Sequence, residues 1–294
     1  MTPVMRNIVV KKIKVSKALS KSGLPEYDYS LNPYIGCLHG CRYCYAIDFT
    51  KGDPARRWGE IVYVKINLPE ILRKEVKIYR RGVVGISTIT DPYQSIEYKY
   101  NITRRSLEIL LENRFRVSIQ TKSPLVLRDL DILERYKDLV EVGFTITTLD
   151  ETKKRFIEPW TPGAESLVYA LKRLSEKKIS TWIFVGPIIP DVNDDINDLM
   201  RILDLARETG SEIIFDYFRS HVGSINMMRK YFDQSIIKKI LSKDYLKWWN
   251  NLINILMKYC SEANIRCVTA DEYWKNISRR RVGEEKDLLF FAEK

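Results

Sequence analysis

Three cysteines set the chemistry this sequence can do. Cys37, Cys41 and Cys44 stand in a Cys-x3-Cys-x2-Cys spacing within residues 32–45, Asn-Pro-Tyr-Ile-Gly-Cys-Leu-His-Gly-Cys-Arg-Tyr-Cys-Tyr. Soft thiolates this close together in a loop suit zinc or an iron–sulfur cluster. Zinc wants a fourth ligand, and the nearest, His39, lies between two of the cysteines, where a tetrahedron is cramped. A disulfide between such close neighbours is strained, and nothing else suggests secretion. A [4Fe–4S] cube held by three thiolates keeps one iron free of protein, where a small molecule can bind and receive an electron.

This spacing, with the aromatic Tyr43 just before the last cysteine, resembles the signature of the radical S-adenosylmethionine (SAM) enzymes. The longer string Asn32-Pro33-Tyr34, Gly36-Cys37, His39-Gly40-Cys41 and Tyr43-Cys44-Tyr45-Ala46 is similar to the spore photoproduct lyase-like branch. The resemblance implies Cys37, Cys41 and Cys44 as cluster ligands, and a [4Fe–4S] cluster and SAM as cofactors. It also implies an electron donor such as ferredoxin or flavodoxin.

Positioning such a loop requires a frame, and the chain supplies helix and strand signals in alternation. Apolar strand-like runs at 27–34, 83–90, 115–121, 140–148, 179–186 and 212–218 are separated by helical periodicities at 68–79, 106–112, 125–136, 165–178 and 195–209. About six strand–helix units predict a parallel sheet, too few for a closed eightfold barrel. The resemblance implies an α/β fold, a partial (β/α)6 TIM-type barrel of the radical SAM kind with a helical C-terminal extension. The expected divisions are a basic arm at 1–26, the core barrel at 27–220 and a mainly helical extension at 221–294, anchored by Trp248 and Trp249.

In a parallel barrel, chemistry collects where strands end, and here those ends are polar: Thr88-Ile89-Thr90-Asp91-Pro92-Tyr93-Gln94, Gln120-Thr121-Lys122-Ser123, Thr145 to Asp150 followed by Glu158-Pro159, and Pro187-Ile188-Ile189-Pro190 before Asn193-Asp194. Each has an ordinary alternative, since threonine favours strands and Asp or Asn caps helices. In this order they repeat the lyase-like pattern. The resemblance then implies that Lys122 neutralises the SAM carboxylate and that Thr90 and Thr145 bond its amino acid or ribose. Tyr43 meets the adenine, and Ile188 or Ile189 packs against it. Asp91 is either a partner of the SAM amine or a cap of the Pro92 turn, and His221 reads as structural. Lyases of this branch carry a hydrogen-donating cysteine just past the second strand; the matching position is about Thr88, and no cysteine lies between Ala46 and Tyr259. Tyr43 and Tyr45 are the expected catalytic residues, as tyrosine can relay a radical.

The composition is that of a globular protein, 45% hydrophobic and 30% charged, without an apolar run that would span a membrane or a signal-type core in residues 1–22. Cytoplasmic localisation is the expectation, and five cysteines, three of them clustered, fit a reducing compartment. Cys260 and Cys267 read as core or surface thiols. The net charge of +11 has concentrations at Arg6 to Lys21, Arg73 to Arg81 and Arg279 to Arg281, which supports a polyanionic partner such as nucleic acid against a basic surface with no partner. The function expected is reductive SAM cleavage to a 5′-deoxyadenosyl radical that acts on an unidentified substrate. The resemblance and the charge favour nucleic acid in DNA repair, but without the donor cysteine the thymine-dimer substrate of the lyases does not carry over. RNA or protein modification is the alternative, and a zinc-containing nucleic-acid-binding protein the reading from another class.

Overall fold

The computed structural model describes residues 6–280. Eight strands form the main sheet. They are β2 (Leu19–Lys21), β3 (Tyr29–Leu31), β6 (Val83–Ile86), β7 (Arg116–Thr121), β8 (Val140–Thr145), β9 (Ser180–Ile188), β10 (Glu212–Tyr217) and β11 (Cys267–Thr269), in the order β11-β10-β9-β8-β7-β6-β3-β2. From β3 to β11 every pairing is parallel; β2 joins antiparallel at one edge. Strands β3, β6, β7, β8, β9 and β10 are the six of the expected partial barrel. The extension adds β11, a seventh parallel strand that a mainly helical tail did not lead us to expect.

Alternation along the strands separates two faces. Val117, Ile119, Val140, Val142, Phe144, Ile183, Val185, Ile213 and Phe215 point outward into one continuous core. Helices Ile102–Glu112, Ala164–Glu176 and Ile196–Thr209 close that core with Leu107, Leu110, Leu167, Leu171, Ile202 and Leu203. The alternate positions, Gln120, Thr145, Trp182, Phe184, Gly186, Ile214 and Asp216, point inward and line a cavity of about 380 Å³.

A second, three-stranded sheet holds the cysteine loop from outside. Strands β1 (Val9–Ile13), β5 (Ile61–Lys65) and β4 (Tyr34–Ile35) are ordered β1-β5-β4. The described part of the basic arm, from Arg6 on, is thus woven in: β1 pairs with β5 and β2 with β3. Beyond β10 the chain is helical at Val222–Met228, Gln234–Ile240 and Tyr245–Glu262. It then turns through Asn264, φ 53°, into β11 and helix Ala270–Arg280.

That turn corrects one expectation. Cys260 and Cys267 are a disulfide, with Cα atoms 6.2 Å apart, inside the range a bridge spans. Compartment and spacing made them free thiols in the sequence; the reversal at Asn264 brings the helix end and the strand together. No helix among the described residues is long and apolar enough to cross a membrane.

Candidate functional site: a cysteine loop at one end of an aromatic-floored cavity

Two left-handed glycines fold the cysteine loop. Gly36 has φ 86° and a side chain there would strike the Ile61 carbonyl at 2.5 Å; Gly40 has φ 59° and lies against Trp160 and Gly59. Between and beyond them Cys37, Cys41 and Cys44 are free thiols, the first two buried, and all three line the cavity. Backbone N–H groups of His39 and Asp91 reach the Cys37 sulfur, and that of Ala46 reaches the Cys44 sulfur.

Burial pushes all three thiols up, Cys44 to about 11, although those N–H bonds and Lys122 oppose the rise. Thiolates so placed require a cation on them, and a coordinating metal supplies it. Three sulfurs in a loop with N–H groups aimed at two of them is the donor set an iron–sulfur cluster takes. No three His, Cys, Asp or Glu side chains converge on a single metal ion among the described residues. His39, the fourth ligand of the zinc alternative, turns its Nε2 to within 3.2 Å of Asp91.

A buried carboxylate organises the wall beside Cys41. Glu158 Oε1 lies 2.9 Å from Lys122 Nζ and 3.0 Å from Thr147 Oγ1, Oε2 lies 2.6 Å from Lys154 Nζ, and the Tyr43 hydroxyl donates to Oε1. Burial alone would raise the Glu158 carboxyl; the two lysines and Tyr43 override it and hold it well below the usual carboxylate range. Two ammoniums on one carboxylate leave a positive charge over. Lys122 carries it into the cavity, its side chain 15% exposed, whereas Lys154 stays behind the wall. Lys122 Nζ also lies 5.5 Å over the Tyr43 ring.

The neighbouring polar residues hold the loops. Asp91 accepts bonds from Tyr93 N, Thr121 Oγ1 and Lys122 N at 2.7–2.8 Å. Burial opposes its charge, but His39 and these bonds keep its carboxyl low. Thr90 donates to the Gly36 carbonyl at 2.6 Å and accepts from Gln94, so its hydroxyl ties strand β6's exit to the cysteine loop. Thr145 accepts from Gln120 at 3.0 Å, which leaves its O–H to donate into the cavity. The Tyr45 hydroxyl donates to the Thr88 carbonyl. Both residues line the cavity, with His221 beside the Tyr45 ring. Ile188 and Ile189 are fully buried and lie outside the cavity wall; Ile189 packs with Cys41 and Tyr43 behind it.

The far end is aromatic. A side chain at Gly85 would run into the Tyr27 ring at 2.3 Å, and one at Gly143 into Trp182 at 2.2 Å. Glycine in these strands lets the two rings lie flat across the barrel interior. Phe184, Tyr217, Tyr273 and Trp274 complete that end. Arg219, stacked between Tyr217 and Trp274, bonds Asp216 at 2.8 Å and Asp271 at 2.9 Å. Burial pushes the Asp216 carboxyl up to about 6, against the pull of Arg219.

Sequence reasoning placed Cys37, Cys41, Cys44, Tyr43, Tyr45, Thr90, Lys122 and Thr145 together, and all eight line one cavity. It missed Lys154 and the central part of Glu158, both of which show only as polar residues after β8. It also missed the aromatic end, whose one trace in the sequence is a glycine inside each of two strands.

The radical SAM superfamily model matches residues 31–206, well over half of the chain. Over 187 residues the sequence is 38% identical to Uncharacterized protein MJ0683 of Methanocaldococcus jannaschii, which takes in 64% of this chain and 70% of that one. A spore photoproduct lyase point mutant superposes with a TM-score of 0.67 at 14% identity, covering 89% of this chain and 81% of its own. A double mutant of that lyase with bound AdoMet and dinucleoside spore photoproduct gives 0.61 at 15%, covering 77% and 66%. At these identities the two solved structures show the fold. With the family model spanning the cysteine loop and most of the strands, the chain belongs to the radical SAM superfamily.

Proposed function

We propose that this protein cleaves SAM reductively at a [4Fe–4S] cluster held by Cys37, Cys41 and Cys44 and turns the resulting radical on a substrate at the aromatic end of the cavity. The observation that carries the reading is the single cavity with free cysteines at one end, an ammonium of surplus charge beside them and flat rings at the other. When bound, the reduced cluster supplies the electron that splits SAM into methionine and a 5′-deoxyadenosyl radical, which removes a hydrogen atom from the substrate.

The chain's own residues do the rest. Lys122 binds the SAM carboxylate, its charge released because Lys154 satisfies Glu158. Thr145 donates its hydroxyl proton to the amino acid or ribose. Tyr43, fixed by Glu158, presents its ring to the adenine, and Thr90 and Asp91 hold the loops that bring these groups together. The apolar walls exclude water, which would quench a carbon radical. Tyr45 donates its hydroxyl to the carbonyl of Thr88, the position where the lyase-like branch carries a cysteine.

The dinucleoside ligand of the solved lyase and the net charge of +11 support nucleic acid as the substrate class. Of the three basic runs, Arg6 touches the cysteine loop at the Leu38 carbonyl and does not line the cavity. Arg73 and Lys74 lie on helix Leu68–Glu75, which packs on helix Ile102–Glu112 outside the barrel. The third, Arg279 to Arg281, lies outside the residues whose side chains are described. Because Arg219 is committed to two carboxylates, phosphates would stay outside the aromatic end and a base or side group would enter it.

The test is anaerobic reconstitution of the wild type and of Cys37→Ala, Cys41→Ala and Cys44→Ala. The wild type should bind about four irons, absorb in the visible and release 5′-deoxyadenosine from SAM with reductant. Each variant should lose the absorbance and the product. A variant that keeps both would overturn the ligand set.

A further inference from the structure

SAM and substrate take up the inner side of the cysteine loop, so an electron bound for a cluster there enters most directly from the outer side. That side carries a constellation which the site above does not use. Just before Cys41, Gly40 presses against Trp160, a residue 42% exposed. The Arg6 guanidinium lies 4.5 Å over that ring and donates to the carbonyls of Leu38 and Gly59. Just after Cys41, the Arg42 guanidinium is 4.1 Å from the Tyr231 ring and 5.0 Å from Phe156, both exposed. Among the described residues neither guanidinium has a carboxylate within 4 Å; Glu60, which attracts Arg6, is itself bonded to Arg57.

We propose that this face is the docking site of an acidic one-electron carrier protein, of the small iron–sulfur or flavin class. The inference rests on the reading that Cys37, Cys41 and Cys44 hold a reducible cluster. Exposed aromatics with unpaired arginines make the kind of patch that anchors a protein partner, and its charge selects an acidic one. Gly40 and Arg42 flank Cys41, so a carrier seated here stands one residue from a ligand of the cluster. One electron leaves the carrier and reduces the cluster by one; no bond is made or broken and no proton moves. A nucleic acid seated here would be on the wrong side of the loop for chemistry in the cavity. Each ring is also already covered on one face by a guanidinium, which makes a poor stack for bases.

The reconstituted protein should be mixed in stopped flow with a reduced acidic ferredoxin and, separately, with dithionite, following the bleaching of the cluster. Two variants are compared with the wild type. One is Arg42→Glu. The other, Arg155→Glu with Arg229→Glu and Lys230→Glu, leaves the loop untouched and reverses charge on the flanking segments. Reduction by ferredoxin should fall by about tenfold or more in both, as for loss of electrostatic steering, with the dithionite rate unchanged. Calorimetric affinity for oxidised ferredoxin should fall in parallel. An unchanged ferredoxin rate in both variants would overturn the proposal. So would an oligonucleotide whose binding is lost in them while the ferredoxin rate stands. A wild type that dithionite cannot bleach would overturn the cluster reading and this inference with it, whereas bleaching by dithionite with no binding of ferredoxin would overturn the docking face alone.

Discussion

The two ends of the cavity are charged in opposite senses by the same device, one ion set between two of the opposite sign, buried at the first end and half-exposed at the second. Beside Cys41 one carboxylate, Glu158, meets two ammoniums, and a positive charge is left over. At the aromatic end one guanidinium, Arg219, meets two carboxylates, and a negative charge is left over. A ligand with a free carboxylate therefore belongs at the first end, while the second suits a flat group that is neutral or cationic. Burying ions is costly, and such networks persist where every member is satisfied. Here the surplus charge, rather than stability, is what each network delivers to the cavity.

Four measurements break or sharpen that contrast. Glu158→Ala strips the first end of its anion and leaves Lys122 and Lys154 together without a partner. The fold should lose about 3–5 kcal/mol, as when one member of a buried pair is removed, read as a lower urea midpoint and poor cluster uptake. A variant of unchanged stability would show that the network is not the hinge of that end.

Asp216 tests the other end through pH. Its carboxyl is raised to about 6, so the folded protein keeps a proton that the unfolded chain has released above about 4. Stability should therefore fall as pH rises from about 4 to about 6, by roughly 2–3 kcal/mol, and then level off. Asp216→Asn should remove this part of the profile, seen as a difference in urea midpoints between the two proteins. A difference that does not change with pH would mean that Arg219 fully compensates Asp216.

Lys122→Ala leaves Glu158 paired to Lys154, so the fold should hold while SAM affinity drops by about 1.5–3 kcal/mol, the worth of a charged hydrogen bond. Calorimetry on the reconstituted protein measures it, and equal affinity would place the SAM carboxylate elsewhere. The smallest effect is expected of Gly143→Ala, whose methyl meets Trp182 at 2.2 Å. Overpacking should cost about 1–3 kcal/mol and shift tryptophan fluorescence, with cluster uptake intact.

The same contrast marks what the sequence discloses. The first end is local: Cys37 to Cys44 within one loop, and Lys122, Thr145 and Thr90 each at the exit of a strand whose apolar run is plain to read. The second end is assembled from afar. Gly143 and Trp182 sit on adjacent strands, and Arg219 with Asp271 joins β10 to the last helix. Strand β11 is three residues long and too short to show a period. Glu158 falls between, visible as a residue but not as a hub, because Lys154 reaches it only along a helix turn and Lys122 across 36 positions. The disulfide was hidden for another reason. Its two cysteines are near in sequence, and only the reversal at Asn264 aligns them.

Trp274 donates its indole N–H to Glu26 at 3.3 Å, across 248 positions. On the ribosome these two residues are therefore separated in time, by roughly 12–50 s at about 5–20 residues per second. The cysteines are exposed to the cell long before the wall that Trp274 helps to form has been made. If Cys37, Cys41 and Cys44 hold the proposed cluster, its iron and sulfide can thus be delivered to an open half-barrel on the growing chain. In the finished protein the far end of that half-barrel is closed by Tyr273 and Trp274.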